Sequence, residues 1–165
     1  MTGMKIRPTQ SSDGDWIAAF MEEHWGAPFV VAHGMIFHPA ELPGFVALDA
    51  DDRPIGLATY QMAGNSCEVV TLNSRHESQG IGTGLLNAVR DAAVQAGCDR
   101  LWLITTNDNL RALGFYQKRG YRLVAVRRDA LQRSRELKPS IPLVSPDGIP
   151  LRDEIELEYP LPACE

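Results

Sequence analysis

The sequence is poor in the features that mark exported, membrane-spanning and metal-held proteins. Its 165 residues include only three cysteines, Cys67, Cys98 and Cys164, an odd number without metal-ligand or redox spacing. No stretch approaches the roughly 18 apolar residues that a membrane span needs, and residues 1–6 lack the apolar core of a signal peptide. These absences predict a cytoplasmic protein with no membrane partner, no metal site and a core formed without disulfides.

Basic residues are outnumbered as well. Sixteen Lys and Arg stand against 21 Asp and Glu, so the formal net charge is −5. Binding to nucleic acid through its phosphates relies on a basic surface, and this balance argues against a nucleic-acid partner. The chain is 44% hydrophobic and 22% charged, which is typical of a globular protein, and its length predicts a single domain over residues 1–165.

The order of apolar patterns predicts an α/β protein whose first half is antiparallel. Ser12 or Asp13 can cap a first helix that ends near Gly26, after a short strand. The apolar run 29–37 is interrupted by a glycine and followed by prolines, so strand and loop remain alternatives there. Turn-rich connectors then separate three strand-like runs, which predict an antiparallel meander over 45–48, 55–62 and 67–72.

Helix and strand alternate in the second half. A long helix follows the glycine-rich stretch 79–84, and the continuous apolar run 101–104 predicts a strand buried on both faces. Asn107 or Asp108 can cap the next helix, which Gly120 ends. We expect a strand over 121–126 and a helix over 129–137, followed by a proline-rich loop over 138–153 and a last strand over 155–159.

The stretch Gln79-Gly80-Ile81-Gly82-Thr83-Gly84 lies where a strand passes into the long helix. Backbone N–H groups at the start of a helix have no internal partner, and the helix dipole adds positive potential there. Glycines leave that backbone open, so a pyrophosphate can approach it. The stretch matches neither the phosphate loop of ATPases nor the dinucleotide fingerprint, because Leu85 stands where the third glycine of that fingerprint belongs. A plain tight turn explains the glycines equally well.

A second segment decides between these interpretations. The spacing N-x-x-A-x-x-x-Y-x-x-x-G-[FY] follows two elements later, at Asn109, Ala112, Tyr116, Gly120 and Tyr121. The glycine turn itself corresponds to the pattern [QR]-x-x-G-x-[GA] over 77–82, except that Glu77 replaces the usual Gln or Arg. Together the two motifs resemble the GNAT superfamily, the acetyl-CoA-dependent N-acetyltransferases, over about residues 6–126.

The resemblance implies the GNAT fold, in which helices flank a mixed central sheet with an antiparallel N-terminal meander and parallel, splayed central strands. It also implies acetyl-CoA as co-substrate and no metal. The pyrophosphate is expected to contact the glycine turn, at Gln79, Gly80, Ile81, Gly82, Thr83 and Gly84. The pantetheine arm is expected to contact a strand end, at Leu72 and Ser74, and a further cofactor contact is expected at the helix start Asn109. A carboxylate at Glu77 would repel pyrophosphate, which Arg75 could offset.

The implied mechanism is direct attack of a neutral primary amine on the thioester. By resemblance, Tyr116 donates a proton to the leaving thiolate of CoA in a groove that holds little water, with a purely structural core tyrosine as the alternative. Glu68 lies beside the thioester in the family layout and is the first candidate for the base, with a solvated residue at a strand start as the alternative. Other candidates for the base are a water-mediated path and the side chains His76, Glu22, Glu23 and His24.

These residues predict an N-acetyltransferase that acetylates a primary amine of a small-molecule acceptor. A noncatalytic CoA-binding or regulatory module would keep the glycine turn but would not need Tyr116. A toxin of this fold that acetylates aminoacyl-tRNA would need a basic face, which the net charge of −5 argues against. The sequence leaves a homodimer open.

The acceptor pocket is expected to involve the long, proline-rich segment 138–153 and to favour a small cationic amine. Strand alternation puts Glu154, Glu156 and Glu158 on one face of the last strand, where their carboxylates can attract an ammonium group. Asp153 adjoins them. A solvated strand face beside a surface loop, or a dimer contact, is the alternative.

Overall fold

The computed structural model describes residues 3–76 and 79–162. Nine strands are formed, namely β1 (Lys5–Pro8), β2 (Val30–Ala32), β3 (Met35–Phe37), β4 (Gly44–Leu48), β5 (Pro54–Ala63), β6 (Ser66–Ser74), β7 (Arg100–Thr106), β8 (Arg122–Arg127) and β9 (Glu154–Pro160). The α-helices are α1 (Gly14–Trp25), α2 (Ile81–Gln95), α3 (Leu110–Lys118) and α4 (Ala130–Leu137). Short 3-10 turns at Ser11–Asp13 and Pro39–Glu41 lead into α1 and β4. None of the described helices has the length and apolar composition to cross a membrane.

Seven of the strands form one sheet in the order β1-β4-β5-β6-β7-β9-β8. β6 and β7 run parallel, and the other neighbouring strands of the sheet pair in antiparallel fashion. This arrangement confirms the predicted mixed sheet, with an antiparallel meander ahead of a parallel central pair. β2 and β3 form a separate hairpin that turns at His33 and Gly34, so most of the stretch 29–37 is strand rather than loop.

The two central strands pair over only part of their length. β6 is paired with β7 from Ser66 to Val69. The next residue, Val70, is skipped in the pairing of β6 with β5, which marks a β-bulge. A bulge bends its strand, so residues 70–74 of β6 part from residues 104–106 of β7 and leave an opening between the two strands.

The sheet is covered on opposite faces by α2 and α1. Leu57 and Ala58 are consecutive on β5 and therefore point to opposite faces, where they join two different apolar clusters. α2 contributes to the first cluster through buried residues at helical spacing, Ile81, Leu85, Val89 and Ala93. α1 contributes to the second through Ile17, Phe20 and Met21. Full burial of such a side chain stabilises the fold by about 1.5–3 kcal/mol, so these two faces hold the central strands in place.

The expectation that β7 is buried on both faces is wrong. Leu101 and Leu103 are buried in the cluster with α2, whereas Trp102 and Ile104 are only half-buried. The second face is covered by the turn of the β2–β3 hairpin, where the His33 ring lies 5.5 Å from the Trp102 ring. A short apolar run is the same sequence pattern in a strand covered by a helix on one face and in a strand covered on both, so the sequence does not distinguish the two cases.

α3 is capped by Asn109 rather than by Asn107 or Asp108. The Ala112 N–H donates to Asn109 Oδ1 at 3.1 Å. Asn107 instead binds the backbone of 150–153, because its Oδ1 accepts two N–H groups at 3.0 Å and its Nδ2 donates to a carbonyl at 2.8 Å. All three side chains are good cap formers, so the choice between them depended on where the first turn begins.

Asp13 anchors the start of α1 from a buried position. Its carboxylate accepts two hydrogen bonds from the Arg7 guanidinium, at 2.9 and 3.0 Å, one from Trp16 Nε1 at 2.8 Å and one from the Gln10 N–H at 2.7 Å. The hydrogen bonds from Arg7 hold the pKa of Asp13 well below its usual range. The side chain thus caps the 3-10 turn that precedes α1 and makes no cap bond to α1 itself.

We expect Asp13→Asn to lower the free energy of unfolding by about 2 kcal/mol at neutral pH, because it removes the charge that Arg7 pairs with. The matched control is Asp15→Asn, at an exposed position of the same helix, with an expected change within ~0.5 kcal/mol. A lowered carboxyl pKa stabilises the fold above the unfolded value, about 3.9, and this contribution is lost as the pH falls below it. The difference in the free energy of unfolding between the wild type and Asp13→Asn, measured by urea unfolding, should therefore become smaller in acid. Equal stability at neutral pH would contradict the prediction.

Candidate active site

A cavity of about 660 Å³ opens between the unpaired end of β6, the start of α2 and the first turns of α3. Tyr116 lines it together with most of the predicted cofactor contacts, which are Leu72, Ser74, Gly80, Ile81, Gly82, Thr83 and Asn109. Leu72 and Ser74 lie beyond the Val70 bulge, so one wall of the cavity is the edge of β6 that has parted from β7. The fold thus brings the two sequence motifs to one cavity.

The three glycines of the turn serve different purposes. Gly80 precedes α2 with a φ of +78°, a conformation that residues with side chains rarely adopt. A Cβ at Gly82 would lie 3.3 Å from Phe115 Cζ, so the missing side chain keeps the cavity open. A Cβ at Gly84 would lie 2.8 Å from Ile6 Cδ1, which makes that glycine a packing requirement between α2 and β1.

Two of the predicted cofactor contacts, Gln79 and Gly84, do not line the cavity. The Gly84 N–H donates to the Gly80 carbonyl at 2.9 Å, which is a regular α-helical hydrogen bond. The backbone N–H groups left without a helical partner are therefore those of residues 80–83. The expected donor stretch is shorter by one residue at each end.

The cavity is basic although the whole chain is acidic. Its lining includes Arg111, Lys118, Arg119 and two histidines, and none of the described lining residues is Asp or Glu. Arg119 is held over the turn, since its Nε–H donates to Thr83 Oγ1 at 2.8 Å and its guanidinium carbon lies 3.6 Å from the centre of the Phe115 ring. Local positive charge of this kind suits a polyanionic ligand.

Sequence reasoning missed Arg119, although the residue directly precedes Gly120 of the second motif. It considered Arg75 instead as the cation that could offset Glu77. Arg75 turns to α1, where its Nη1 donates to Glu23 Oε1 at 2.8 Å. Glu77 lies outside the described residues. The cation that the structure places at the turn is therefore Arg119.

Tyr116 presents a phenol to the cavity. Its ring is buried, with 8% of the residue exposed, and lies between the rings of Phe115 and Tyr121. Burial raises the pKa of Tyr116, so the phenol keeps its proton at neutral pH. Within residues 3–76 and 79–162, no group forms a hydrogen bond with its hydroxyl. The phenol is thus free to donate to a bound molecule.

Glu68 is on β6 but does not line the cavity. Its neighbours Cys67 and Val69 pack in the cluster with α2, so its side chain lies on the opposite face of the sheet. There His33 Nε2 lies 3.0 and 2.9 Å from the two carboxylate oxygens. The hydrogen bond with Glu68 raises the pKa of His33. This His33–Glu68 pair lies two residues before the Val70 bulge, where the opening between β6 and β7 begins.

His33 is a candidate that sequence reasoning did not find. It occupies the turn of the β2–β3 hairpin with a φ of +38°, which is uncommon for a residue with a side chain. Its backbone N–H donates to Glu154 Oε2 at 3.0 Å. Glu68 lies 35 residues further along the chain and Glu154 lies 121 residues further, so no local spacing signals this cluster.

The other candidates for the base are less well placed. His24 and His76 line the basic cavity, where a protonated amine would be repelled. Glu22 is exposed on α1. Glu23 is exposed as well, and its hydrogen bond from Arg75 lowers the pKa of its carboxyl. Of the carboxylates considered, only Glu68 adjoins the opening between the central strands.

Two of the three carboxylates on the shared face of β9 are neutralised within the sheet. Glu156 forms salt bridges with Arg100 and Arg127, and Glu158 forms one with Arg100. Burial by itself would raise the pKa of Glu156, but the hydrogen bonds from Arg127 and Arg100 lower it overall. Of the three carboxylates, Glu154 is the one that forms no salt bridge with a described residue.

The segment 138–153 lines neither of the two cavities, so its expected part in an acceptor pocket stays a prediction. Lys138, at its start, is buried, and its Nζ donates to the Trp25 carbonyl at 3.0 Å and the Phe29 carbonyl at 3.4 Å. Desolvation lowers the pKa of this lysine. Asn107 holds the other end of the segment, which thus fastens α4 and β9 to the rest of the fold.

Comparison with known proteins agrees with both motifs. A model of the Acetyltransferase (GNAT) family matches residues 13–121. The uncharacterized protein YdhI of Bacillus subtilis strain 168 is 44% identical over 152 residues, which cover 92% of this chain and 95% of YdhI. The uncharacterized protein YxbD of the same strain is 42% identical over 154 residues, which cover 93% of this chain and 97% of YxbD. A solved GNAT family acetyltransferase from Elizabethkingia anophelis with acetyl-CoA bound superposes with a TM-score of 0.69 at 19% identity, over 98% of this chain and 100% of that one. The chain belongs to the GNAT acetyltransferase family.

Proposed function

We propose that the protein transfers the acetyl group of acetyl-CoA to a primary amine of a small-molecule acceptor, by direct attack of that amine. The observation that carries this proposal is the basic cavity at the opening between β6 and β7, with an unbonded phenol on its wall. The acetyl-CoA bound by a structural neighbour of the same fold supports it.

The phosphates of CoA fit the start of α2. The N–H groups of residues 80–83 without a helical partner converge there with the positive end of the helix dipole, and Arg119 adds a full charge. The pantetheine arm fits the edge of β6 at Leu72 and Ser74, because backbone groups that have parted from β7 can bind its amides. This arrangement puts the thioester in the opening, beside Tyr116.

The acceptor amine approaches the thioester carbon from the face of the sheet that carries Glu68. As the N–C bond forms, the amine proton passes to the His33–Glu68 pair. The tetrahedral intermediate then collapses, the C–S bond breaks, and the thiolate of CoA takes the proton of the Tyr116 hydroxyl. The products are the N-acetylated acceptor and CoA, and solvent restores the two protonation states.

Detection of released CoA thiol with a panel of amines, amino acids, antibiotics and peptides tests this proposal. Thiol release is expected to need both acetyl-CoA and an amine, and mass spectrometry should find one added acetyl group on the acceptor. Acetyl-CoA without an amine is the control. Binding of CoA without turnover on any amine would favour the noncatalytic module, and transfer to aminoacyl-tRNA alone would favour the toxin.

We expect Glu68→Gln to lower kcat/KM by about tenfold, less than the 10²–10⁴ typical of a lost general base, because His33 can still accept the proton. Since the hydrogen bond with Glu68 raises the pKa of His33, its loss should also move the rising limb of the pH profile of kcat/KM to lower pH. The matched control is Glu22→Gln, an exposed carboxylate that should leave both unchanged. A pH profile that keeps its midpoint would remove the pair from the mechanism.

A further inference from the structure

A second cavity, of about 580 Å³, lies on the other side of β7 from the basic cavity. Its walls come from the hairpin turn at His33, the end of β8, α4 and the first residue of β9, Glu154. Glu154 pairs with Thr106, the last residue of β7, so this second cavity lies at the end of the sheet where β6 and β7 part. Its size is within the range of small-molecule sites.

One wall of the second cavity carries a buried carboxylate that no arginine or lysine of the described residues pairs with. Glu154 is only 2% exposed. Its described partner is the neutral backbone N–H of His33, and it forms no salt bridge with any described residue, whereas Glu156 on the same strand binds two arginines. The pKa of the His33 ring is raised first by its hydrogen bond with Glu68 and to a lesser extent by the charge of Glu154. One backbone hydrogen bond and a ring already paired with Glu68 compensate a buried carboxylate incompletely, so an ammonium group from a ligand would be favoured there.

The rest of the lining carries positive charge that is not paired within the described residues. Arg128 and Arg133 line the second cavity, are exposed, and form no ion pair within the part of the chain that the structure describes. The aliphatic part of Arg133 passes Gly34, where a Cβ would lie 3.6 Å from Arg133 Cδ. Arg127 also lines the cavity, but Glu156 neutralises it. A carboxylate of the ligand would find two guanidinium groups on this side.

A ligand with only one charge is disfavoured in this cavity, because the arginines repel a cation and Glu154 repels an anion. Asp129 and Glu136 on the rim add to this mixed character. We propose that the second cavity binds an acceptor with an amine and a carboxylate on one small molecule, an amino acid in the broad sense. Its ammonium lies at Glu154 and its carboxylate at Arg128 and Arg133.

This inference rests on the proposed function and names the substrate class of the same reaction. Glu154 accepts the His33 N–H, so an ammonium at Glu154 lies beside the His33–Glu68 pair, the proton acceptor of the reaction. The pair first takes one proton from the ammonium and releases it to solvent. The neutral amine then attacks the thioester, the pair takes the second amine proton as the N–C bond forms, and the C–S bond breaks as described above. Glu68 precedes the Val70 bulge by two residues, roughly 7 Å along the strand, so the pair adjoins both the second cavity and the opening between β6 and β7.

The test compares acceptors that differ only in the carboxylate. Amino acids of increasing chain length, such as 4-aminobutanoic acid, are paired with their carboxamides, and wild-type kcat/KM should favour the acid at least tenfold. The double variant Arg128→Gln, Arg133→Gln should raise KM for the acids about tenfold, leave KM for acetyl-CoA unchanged and abolish the preference. Glu154→Gln should raise KM for acids and amides alike. The matched control Arg152→Gln, an exposed arginine outside both cavities, should keep the preference.

Ligand-induced thermal shifts separate this inference from the proposed function. If the wild type acetylates amines but prefers the amides or makes no distinction, the inference is overturned and the acetyltransferase activity stands. If the wild type acetylates no amine, the proposed function fails, and the shifts decide the inference. The inference would then be supported if amino acids, and not their amides, stabilise the wild type and this stabilisation is lost in the double arginine variant. The inference would be overturned if amino acids do not stabilise the wild type.

Discussion

Replacing Tyr116 with Phe is expected to lower kcat by about 10² or more while leaving the affinity for CoA nearly unchanged. The phenol is buried, lines the basic cavity and has no hydrogen-bond partner among the described residues, so its removal breaks no internal contact. Burial raises the pKa of Tyr116 and keeps its proton in place until the thiolate of CoA develops. Phe retains the ring that packs against Phe115 and Tyr121.

The matched control for Tyr116→Phe is Tyr121→Phe, which deletes another buried phenol 5.5 Å away, outside the lining of the cavity. Steady-state kinetics with saturating acetyl-CoA should show the loss of kcat in the first variant and not in the second. Calorimetry should find similar CoA dissociation constants in both variants and the wild type. A wild-type kcat in Tyr116→Phe would assign the proton donor to solvent.

Replacing Gly82 with Glu is expected to abolish CoA binding. A Cβ at this position would already lie 3.3 Å from Phe115 Cζ, and the longer side chain would fill the space over the start of α2. Its carboxylate would also be the first acidic group among the described lining residues and would repel the phosphates of CoA. CoA at 100 times its dissociation constant should stabilise the wild type by about 2.7 kcal/mol, and this gain should vanish in the variant.

Two controls separate charge and bulk in this experiment. Gln95→Glu adds the same charge at the last, exposed residue of α2 and should keep the full stabilisation by CoA. Gly82→Ala adds only the Cβ, which Phe115 can accept after a small shift, so it should weaken binding without abolishing it. Unfolding of each variant without CoA confirms that the fold persists. An undiminished CoA response in Gly82→Glu would place the cofactor elsewhere.

The order of elements and the glycine turn at the start of α2 follow from signals that are local in the sequence. Gly26 ends α1 in the left-handed conformation, with a φ of +75°, where the sequence places the stop. The start of α2 likewise depends on Gly80, and its free N–H groups belong to Gly80 and the next three residues, so the pattern of glycines is sufficient to predict where these groups lie. The family resemblance assigns Tyr116 through a motif that lies largely within one helix, α3. Interactions within one or two turns are encoded in adjacent residues, and a sequence read on its own reveals them.

The surroundings of His33 and Glu154 were decided by the tertiary structure. The chain places β9 between β7 and β8, which brings Glu154 to the turn that holds His33, 121 residues earlier. The same crossover lets Arg100 and Arg127 neutralise Glu156, so it also decides that Glu154, on the same face of β9, forms no salt bridge with a described residue. Strand order and the packing of the β2–β3 hairpin depend on long-range contacts. The charge that each side chain finally meets is set by neighbours far away in the sequence, and no local pattern records them.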